Sequence, residues 1–416
     1  MNQRNEIIII GGGVIGACIA YYLSGEKHDV ALVEKNQICS GSSHGNAGLI
    51  ACENPIPMAE PGVIRKALRW MLDAEGPFYI KPRLDPALVR WLFGFYAACR
   101  KKPMLHAIDV TLAMKRVSTQ LAGKLSAESK SAFSWEKKGR MLIYQKDDSF
   151  KEGIKTLNSL KQYGVVGEIL DSAGIRQKDS NLLPSVIGGI YYPGYEHVLP
   201  ERYVKGMAQI AENNGATLHT ETEVIGFETS GKRISRVVTT RGDFIPEQVV
   251  LAAGSWSPPI AKDLGLRLPI QPAKGYSISL KRTTSSSTIP LSLVDQKVAV
   301  TPMGDQLRMS SNLELVGYDS TINRRRIAAT RRAVNMYLSG IDELELIQIW
   351  SGFRPNTPDT LPIIERNDTF TNLILATGHD TLGMTHSLVT GKLVSEIIDG
   401  DAPSVDLKPL RLSRFR

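Results

Sequence analysis

Residues 7–34 contain the pattern that most strongly limits the fold of this chain. Four consecutive isoleucines, Ile7–Ile10, run directly into the sequence Gly11-Gly12-Gly13-Val14-Ile15-Gly16. A short β-branched run of this kind predicts a strand that is buried on both faces. The uncharged residues 17–23 predict a helix, and residues 29–33 predict a second strand that ends at Glu34. The segment therefore predicts a βαβ unit with a G-x-G-x-x-G turn at the start of its helix.

Each position of this turn has a physical role in holding a dinucleotide. Gly11 permits the tight turn, Gly13 lets the backbone approach a pyrophosphate, and Gly16 lets the helix and strand pack closely. The helix start offers N–H groups and the positive end of its dipole to the phosphates. Glu34 follows about 20 residues later, where a carboxylate can accept hydrogen bonds from the ribose hydroxyls. Because a carboxylate repels a 2′-phosphate, we do not expect NADP.

The turn alone does not separate NAD from FAD, but the next segment adds information. Residues 40–49 are small, polar and rich in glycine, with the sequence SGSSHGNAGL. Their hydroxyl and N–H groups can surround a second portion of a cofactor. A solvated surface loop is the alternative interpretation of the same composition.

The composition excludes several classes of protein. The chain has 416 residues, of which 42% are hydrophobic and 22% charged, and this excludes a disordered chain. The length exceeds the roughly 250–300 residues at which one core stops growing, so we expect two domains or one elaborated domain. The net charge of +8 is compatible with nucleic acid, a membrane surface or anionic ligands, and selects none of them. Since basic proteins are common, we expect no nucleic-acid partner.

Cysteine usage is sparse, and no C-x-x-C pair occurs among Cys18, Cys39, Cys52 and Cys99. We therefore expect neither a disulfide framework nor a metal site, and we infer a reducing, cytoplasmic location. The uncharged segment 7–23 resembles a signal peptide, but it is shorter than the about 20 residues that cross a bilayer. Its glycines are grouped in a phosphate-binding turn, so we do not expect export.

Six motifs occur along the chain in one order: Ile7–Glu34, Ser42–Leu49, Val249–Ser257, Pro272–Ser277, Gly352–Asp359 and Ala376–Ser387. With these motifs the chain resembles the FAD-dependent D-amino-acid oxidase superfamily over nearly its whole length. Within that superfamily the resemblance is closest to the bacterial D-amino-acid dehydrogenases and D-hydroxyproline dehydrogenases.

The resemblance implies an α/β fold in which a discontinuous Rossmann-like FAD-binding domain is interrupted by an α+β substrate domain with a mixed sheet. The implied FAD-binding segments are 1–80, 191–262 and 346–416, and the implied substrate-domain segments are 81–190 and 263–345. Local patterns predict strands of the second domain at 139–145, 276–280, 298–301 and 306–309.

Two predicted helices carry surface features of interest. Asp85-Pro86 predicts a helix start, and the apolar stripe that follows favours packing in the core over a membrane-surface or quinone-access helix. The stripe consists of Leu88, Trp91, Leu92, Phe95 and Tyr96. Residues 324–334 predict an amphipathic helix with Ile327 and Val334 inward and its arginines on a solvated face.

The resemblance implies FAD as the cofactor. Noncovalent attachment is expected, because Trp350–Arg354 contains no cysteine of the kind that some sarcosine-oxidase-like members use. The resemblance also places Val224 at the adenine through its backbone and the helix after Gly383 at the flavin pyrimidine ring, where its dipole would stabilise negative charge. The residues expected to bind the cofactor are Gly11, Gly13, Val14, Ile15, Gly16, Glu34, Lys35, Ser42, Ser43, Asn46, Gly48, Leu49, Val224, Ala253, Gly254, Trp256, Gly378, Leu382, Gly383, Met384 and Thr385.

Arg354 is the first candidate residue for substrate binding. The resemblance identifies it as the arginine that binds the substrate carboxylate through two parallel hydrogen bonds. Tyr276 could add a hydroxyl to that carboxylate, and a packed core tyrosine is the alternative. His44 and His379 are candidates for polar groups beside the flavin ring. Lys274 could contact the flavin or lie in solvent.

The implied activity is oxidative deamination of a D-amino acid, in which hydride passes from Cα to flavin N5 and the imine hydrolyses to a 2-oxo acid and ammonia. The electrons would pass to a quinone or another carrier. Alternatives that stay open are a D-proline or D-hydroxyproline dehydrogenase giving a cyclic imine, a glycine- or sarcosine-oxidase-like enzyme using oxygen, and a flavin-binding subunit of a larger complex. Peripheral membrane association and homo- or hetero-oligomers also stay open.

Overall fold

The computed structural model describes residues 3–25, 28–51, 55–129, 132–284 and 286–415, so Cys52 lies outside the described residues. The strands are β1 (Gln3–Ile10), β2 (Val30–Val33), β3 (Leu49–Ala51), β4 (Phe78–Ile80), β5 (Arg140–Tyr144), β6 (Glu168–Asp171), β7 (Gly188–Tyr192), β8 (Glu196–His197), β9 (Thr217–His219), β10 (Val224–Ser230), β11 (Arg233–Thr239), β12 (Phe244–Leu251), β13 (Gln271–Lys281), β14 (Leu291–Leu293), β15 (Val298–Met303), β16 (Gln306–Leu315), β17 (Leu346–Asn356), β18 (Ile363–Arg366) and β19 (Leu373–Thr377). The α-helices are α1 (Val14–Leu23), α2 (Val63–Met71), α3 (Pro86–Ala98), α4 (Lys101–Ser129), α5 (Asp147–Leu160), α6 (Ser172–Lys178), α7 (Pro200–Asn213), α8 (Ser257–Asp263), α9 (Arg324–Asn335) and α10 (Gly383–Asp399).

The first sheet has a parallel centre in the order β9, β2, β1, β12, β19, and β10, β11 and β18 complete it. A parallel sheet needs cover on both faces. Ile7 and Ile9 pack into one core cluster with α1, α7 and α10, whereas Ile8 and Ile10 pack into another. All four isoleucines are buried, which confirms the predicted strand and the βαβ unit that it begins.

The second sheet has the order β17, β13, β16, β15, β14, β5, β7, β6, with β4 beside β16. Most pairs are antiparallel, but β14 pairs with β5 and β16 pairs with β4 in parallel, so the sheet is mixed. Along the chain, groups of strands alternate between the sheets: β1–β2, β9–β12 and β18–β19 belong to the first, and β4–β7 and β13–β17 belong to the second. A Rossmann-like sheet interrupted by a mixed sheet is the predicted fold class, and it is confirmed.

One predicted boundary differs from the strand pairing. The third FAD-binding segment was predicted to begin at residue 346, but β17 lies in the second sheet. The reason is its long antiparallel pairing with β13, which runs from Gln271 against Asn356 to Leu280 against Leu346.

Two helices differ in part from their predicted surfaces. Asp85 accepts hydrogen bonds from the first N–H groups of α3, as predicted, and Leu88 and Trp91 are buried in the core. The core interpretation is wrong for Tyr96, which is exposed. On α9 the solvated interpretation is wrong for Arg326, because its Nε lies 2.9 Å from Glu314 Oε1 in a buried ion pair.

Helices α1 and α10 approach each other closely through a glycine. A Cβ atom on Gly391 of α10 would lie 2.6 Å from the backbone oxygen of Cys18 and 2.6 Å from Cδ2 of Tyr22 on α1. The absence of a side chain at this position therefore sets the distance between the two helices that begin at the candidate cofactor site.

We expect Gly391→Ala to lower the free energy of unfolding by about 1–3 kcal/mol, because the added methyl group must push α1 and α10 apart. Denaturant unfolding of the FAD-loaded protein measures the change. Gly123→Ala in α4 is the matched control, since no atom lies within 4 Å of its added Cβ. Equal destabilisation by both variants would contradict the close-packing interpretation.

Candidate active site

The glycine-rich turn before α1 closes tightly on the end of β12. Gly11 has a φ of +114°, and a Cβ atom there would lie 2.7 Å from the oxygen of Ala252 and 2.9 Å from Cα of Ala253. A Cβ atom on Gly16 would overlap the oxygen of Gly11. The turn is therefore accessible to glycine alone at these positions, and it lies directly against Ala253.

Ser43 contacts the start of α1 from the second predicted cofactor loop. The N–H group of Val14 donates to Ser43 Oγ at 2.9 Å. Gly13 is the N-cap residue of α1, and a Cβ atom on it would lie 3.3 Å from the same oxygen. Ile15 and Gly16 complete the first helical turn. Two segments that the sequence predicted separately thus meet at the helix start.

Glu34 lies beside this turn at the end of β2. Its Oε2 accepts a hydrogen bond from Gly12 N–H at 2.7 Å, and its Oε1 accepts one from Asn36 N–H at 2.9 Å. The backbone oxygen of Glu34 accepts a bond from Thr222 N–H at 2.9 Å. That bond brings the chain that enters β10 at Val224 towards the carboxylate.

Lys35 and Trp256 contact each other, although they belong to separate sequence motifs. The Lys35 ammonium group lies 3.6 Å from the centroid of the Trp256 ring. The same ring stacks on Tyr318 with 4.7 Å between centroids. Gly254, whose φ is +53°, begins the turn that carries Trp256. Both rings also contact Phe353, whose side chain lies on the face of β17 opposite Arg354, so the structure does not bring Trp256 together with Arg354.

Asn46 holds the second cofactor loop in its conformation. Its Nδ2 donates to Ser43 O at 2.6 Å, and its Oδ1 accepts from Gly48 N–H at 2.6 Å. Ser42 precedes this ring of hydrogen bonds and Leu49 follows it. The loop is thus held in one conformation by its own hydrogen bonds.

Arg308 fixes this loop from the second sheet, a role that no sequence pattern predicts. Its side chain is 1% exposed, and Nη1 donates to His44 O at 2.7 Å and to Asn46 O at 3.3 Å. Nη2 donates to Glu201 Oε1 at 2.8 Å, and Nε donates to Ser279 Oγ at 3.1 Å. A single arginine within a strand has no local sequence signal, so only the fold reveals its role.

The first turn of α10 contacts both cofactor segments. Thr385 Oγ1 donates to Leu49 O at 3.2 Å, and a Cβ atom on Gly383 would lie 3.8 Å from Val14 Cγ1. The helix starts α1 and α10 therefore converge. The remaining predicted residues of this turn and of the loop before it are Gly378, Leu382 and Met384.

Arg354 lies on β17 with its guanidinium group over the backbone of Gly275 on β13. A Cβ atom on Gly275 would lie 2.6 Å from Nη2 and 2.7 Å from Cζ of Arg354. Nη1 donates to Asn312 O at 2.9 Å. Burial lowers the pKa of Arg354, and the negative charge of Asp380 opposes this shift. An arginine nevertheless stays charged at neutral pH.

The face of β17 that carries Arg354 also contacts the second cofactor loop. Gln348, Trp350 and Arg354 are separated by even numbers of positions along the strand, so their side chains lie on the same face. The Trp350 ring occupies the space next to Gly45, and His44 Nε2 bonds to Gln348 Oε1 at 2.8 Å. The structure therefore brings Arg354 and His44 to the same side of the second sheet.

Tyr276 lies on the opposite face of β13 from Gly275 and Arg354. Its hydroxyl donates to Glu314 Oε2 at 3.1 Å, and Glu314 also pairs with Lys274 at 3.3 Å and with Arg326. Burial raises the pKa of Tyr276. The structure thus does not bring Tyr276 and Lys274 together with Arg354, and both belong to a buried charge network against α9.

His379 is directed into α10. Its Nε2 bonds to Thr390 Oγ1 at 2.9 Å, and burial lowers its pKa to about 3. His386 is also buried, with a pKa lowered to about 4. Both rings are therefore neutral near pH 7, and His379 has one nitrogen engaged within the fold.

Two polar residues inside the sequence motifs, Asn356 and Asp380, have no role predicted from the sequence. Asn356 follows Arg354 by two residues on β17, and neither its Oδ1 nor its Nδ2 has a hydrogen-bond partner among the described residues. Asp380 Oδ1 also has no partner there. The sequence signal was an amide and an acid inside motifs otherwise rich in Gly, Pro and Thr.

Comparison with known proteins identifies the family. The model of the FAD dependent oxidoreductase (DAO) family matches residues 6–397. The chain belongs to this family. It is 31% identical over 417 residues to the D-amino acid dehydrogenase of Granulibacter bethesdensis, covering 99% of both chains. It is also 31% identical to the D-amino acid dehydrogenase of Cereibacter sphaeroides, covering 99% of this chain and 95% of that one.

Solved structures share the fold of this FAD-dependent oxidoreductase. The glycine oxidase of Geobacillus kaustophilus superposes with a TM-score of 0.79 at 22% identity and covers 99% of both chains. The L-proline dehydrogenase of P. horikoshii superposes with a TM-score of 0.78 at 20% identity, covering 100% of this chain and 98% of that one. At these identities the likeness concerns the fold alone.

The described residues fit the FAD that this family uses. The turn at Gly11 leaves no room for side chains, as the close approach of a dinucleotide requires. The orphaned amide of Asn356 is a buried polar group that needs a partner from outside the described protein atoms.

We expect Arg308→Met to weaken FAD binding by about tenfold or more and to lower the free energy of unfolding by about 3–5 kcal/mol, because it leaves Glu201 and the loop carbonyls without their buried cation. Quenching of FAD fluorescence and denaturant unfolding measure the two effects. Arg325→Met is the control, since Arg325 pairs with Glu75 at the surface and such pairs contribute about 0–1 kcal/mol. An Arg308→Met protein with native FAD affinity would show that Arg308 does not organise the loop.

Proposed function

We propose that this FAD-dependent oxidoreductase is a dehydrogenase of D-amino acids, which it converts through an imine to a 2-oxo acid and ammonia. The observation that carries the proposal is the Arg354 guanidinium group, which faces the side of the sheet that contacts the cofactor loop. Two relatives named D-amino acid dehydrogenase, each 31% identical and covered over at least 95% of their length, support the choice of substrate class.

Arg354 would bind the substrate carboxylate. A guanidinium group offers two parallel N–H donors that match a carboxylate, and the bond from Nη1 to Asn312 O limits the rotation of its plane. Gly275 leaves the space in which the guanidinium lies. Once FAD is bound, it supplies the chemistry by accepting the α-hydrogen and its electron pair as a hydride. The protein's contribution is then to hold Cα in one orientation.

The cofactor assignments of the sequence analysis are retained as part of the proposal. The start of α1 would bind the pyrophosphate, Glu34 the ribose, and the start of α10 the flavin pyrimidine ring. Noncovalent attachment is supported by the described cysteines. Cys18 and Cys39 are buried and Cys99 is half-buried, and burial raises the pKa of Cys18 and Cys99 to about 11 and of Cys39 to about 12, which disfavours the reactive thiolate.

Anaerobic bleaching of the bound flavin tests the substrate class. The panel contains D-alanine and other D-amino acids, D-proline, hydroxy-D-proline, glycine, sarcosine and L-alanine. Bleaching that is fastest with the D-amino acids supports the proposal, whereas bleaching only by glycine and sarcosine would replace it with an oxidase-like substrate choice. Cyclic substrates alone would assign the chain to D-proline-type dehydrogenases. No bleaching by any amine would favour a flavin-binding subunit of a larger complex.

The electron acceptor is proposed to be a quinone or another carrier. Turnover in air should then release much less than one hydrogen peroxide per substrate and should reduce an artificial dye efficiently. Peroxide formation that matches turnover would instead identify oxygen as the acceptor.

We expect Arg354→Ala to raise the Kd for D-amino acids by about 10- to 100-fold while FAD stays bound, because a charge-assisted pair contributes about 1.5–3 kcal/mol. Titration of the oxidised protein with a slow substrate or competitive carboxylate measures binding, and the flavin spectrum reports occupancy. Arg325→Ala, at the exposed pair with Glu75, is the control. Unchanged affinity in Arg354→Ala would exclude the carboxylate assignment.

We further propose that α3 attaches the protein to an anionic membrane surface. Val89, Phe93 and Tyr96 follow helical spacing and are exposed, with Phe93 72% exposed. Exposed basic residues flank them, namely Arg90, Arg100, Lys101 and Lys102. An apolar stripe between cations suits the interface of a bilayer that contains acidic lipids.

The inner face of α3 connects this surface to the candidate active site. Trp91 Nε1 donates to Asn356 O at 2.8 Å, and a Cβ atom on Gly94 would lie 3.1 Å from Pro358. A quinone in the membrane would therefore lie near the end of β17. Among the described residues, no helix combines the length and the apolar character needed to cross a bilayer.

We expect Phe93→Glu to reduce binding to vesicles of phosphatidylcholine and phosphatidylglycerol by about tenfold or more, because it places a charge where an aromatic side chain would enter the interface. Cosedimentation measures the change, and 0.5 M salt should weaken the native binding. Val166→Glu, another exposed apolar position, is the control. Equal binding by Phe93→Glu and the native protein would remove α3 as the attachment surface.

A further inference from the structure

Asp380 has an unusual conformation within the loop between β19 and α10. Its φ is +48°, a left-handed value that few residues other than glycine adopt and that Asp and Asn tolerate best. The residue is only 7% exposed, so a carboxyl group has been placed in the interior. Burying a carboxyl group and holding a left-handed backbone both cost free energy, so we infer a specific interaction that stabilises Asp380 here.

The polar environment of Asp380 is incomplete. The backbone N–H group of Thr381 donates to its carboxyl group, but Oδ1 has no hydrogen-bond partner among the described residues. One acceptor is thus unpaired in a nearly water-free position. Such a group in a native fold indicates a partner that the protein atoms do not supply.

Asp380 is positioned next to Arg354 by the backbone. Its N–H group donates to the oxygen of Pro355 at 3.1 Å, and Pro355 follows Arg354 on β17. The carboxylate and the guanidinium group interact electrostatically, since each shifts the pKa of the other. The Nη1 atom of Arg354 donates to Asn312 O, and Oδ1 of Asp380 has no hydrogen-bond partner among the described residues. The Asp380 oxygen is therefore available to a ligand.

We propose that Asp380 binds the amino group of the substrate and, together with Arg354, recognises zwitterionic α-amino acids by both of their charges. The inference rests on the proposed function, in which Arg354 binds the carboxylate. In this arrangement Asp380 contacts the reacting end of the substrate. A carboxylate ligand without an amino group would leave Asp380 unpaired and would therefore bind more weakly.

Asp380 also provides a place for a proton. An α-amino acid carries an ammonium group near neutral pH, whereas the amine lone pair must be free before hydride leaves Cα. Transfer of one N–H proton to the Asp380 carboxylate gives a neutral amine and a neutral carboxyl group, and no electrons leave either molecule. Burial raises the pKa of Asp380 to about 7, although Arg354 opposes the shift. A carboxylate with this pKa can accept a proton near neutral pH.

The pH dependence follows from the groups that surround Asp380. Arg354 on β17 is cationic throughout, and His379 and His386 are neutral above about pH 5 because burial lowers the pKa of His379 to about 3 and of His386 to about 4. Asp380 is thus the group among these that titrates near neutrality. Its carboxylate form, which binds the amino group, is present above pH 7 and is lost as the pH falls below 7.

A matched pair of unreactive ligands tests the inference on the FAD-loaded protein. 2-Aminoisobutyrate has a carboxylate and an amino group but no α-hydrogen, and isobutyrate is the same molecule without the amino group. Calorimetric titration gives both Kd values without turnover. We expect the native protein to prefer 2-aminoisobutyrate, and Asp380→Asn to lose about 10- to 100-fold in its affinity for that ligand while binding isobutyrate at least as well.

Asn keeps the left-handed backbone accessible, so Asp380→Asn removes the charge with little change in shape. Glu365→Gln is the control, since it removes another buried carboxyl group whose pKa burial raises, on β18. The native protein provides a second measurement that needs no variant. Between pH 8 and pH 6 its affinity for 2-aminoisobutyrate should fall while its affinity for isobutyrate rises.

The outcomes separate this inference from the proposed function. A reversed ligand preference in Asp380→Asn, with opposite pH trends in the native protein, supports the inference. If native protein does not prefer 2-aminoisobutyrate, or if Asp380→Asn keeps that preference, the amino-group assignment is overturned even when D-amino acids bleach the flavin. If no D-amino acid bleaches the flavin and Arg354→Ala changes no carboxylate's affinity, the proposed function itself has failed.

Discussion

The close approach of backbone segments around the start of α1 is the constraint on which the rest of the site depends. The turn at Gly11 lies against the end of β12, the N–H group of Val14 is bonded to Ser43, and Gly383 at the start of α10 faces Val14. Three distant parts of the chain thus meet at one helix end. A side chain at Gly11 would force the turn away from the end of β12 and would disturb the contact among these three segments.

The second sheet contributes to the site through a division of its two faces. On one face, Arg308 contacts the loop of residues 42–49, and Arg354 lies at the proposed substrate position. On the other face, Lys274 and Arg326 neutralise Glu314 against α9. Arg308 is bound by backbone oxygens of the loop and by Glu201, and Arg354 is bound by one backbone oxygen, whereas Lys274 and Arg326 share the single acid Glu314. The alternation of side chains along the strands separates the two roles.

Much of this arrangement follows from local sequence, because it depends on short-range patterns. The strand at Ile7–Ile10 and the cap at Asp85 both follow from residue type and spacing. The roles of Arg308 and Asp380 do not, because they depend on contacts between residues far apart in the chain. Tyr276 illustrates the same limit: it is one residue from Gly275, and only strand register decides which face each of them occupies.

The register of β17 against β13 has a consequence for how this fold can change. Arg354 is opposite Ala273, and the pairing continues without a shift to Ser279. A deletion or insertion of one residue in β17 would transfer Arg354 to the opposite face, where Phe353 packs on Trp256 and Tyr318, and would direct Phe353 or Pro355 to the face that contacts the loop of residues 42–49. Variation in length is therefore confined to the loops on either side of this strand. Substrate range can diverge through side-chain replacement, but not through sliding of the strand that carries the guanidinium group.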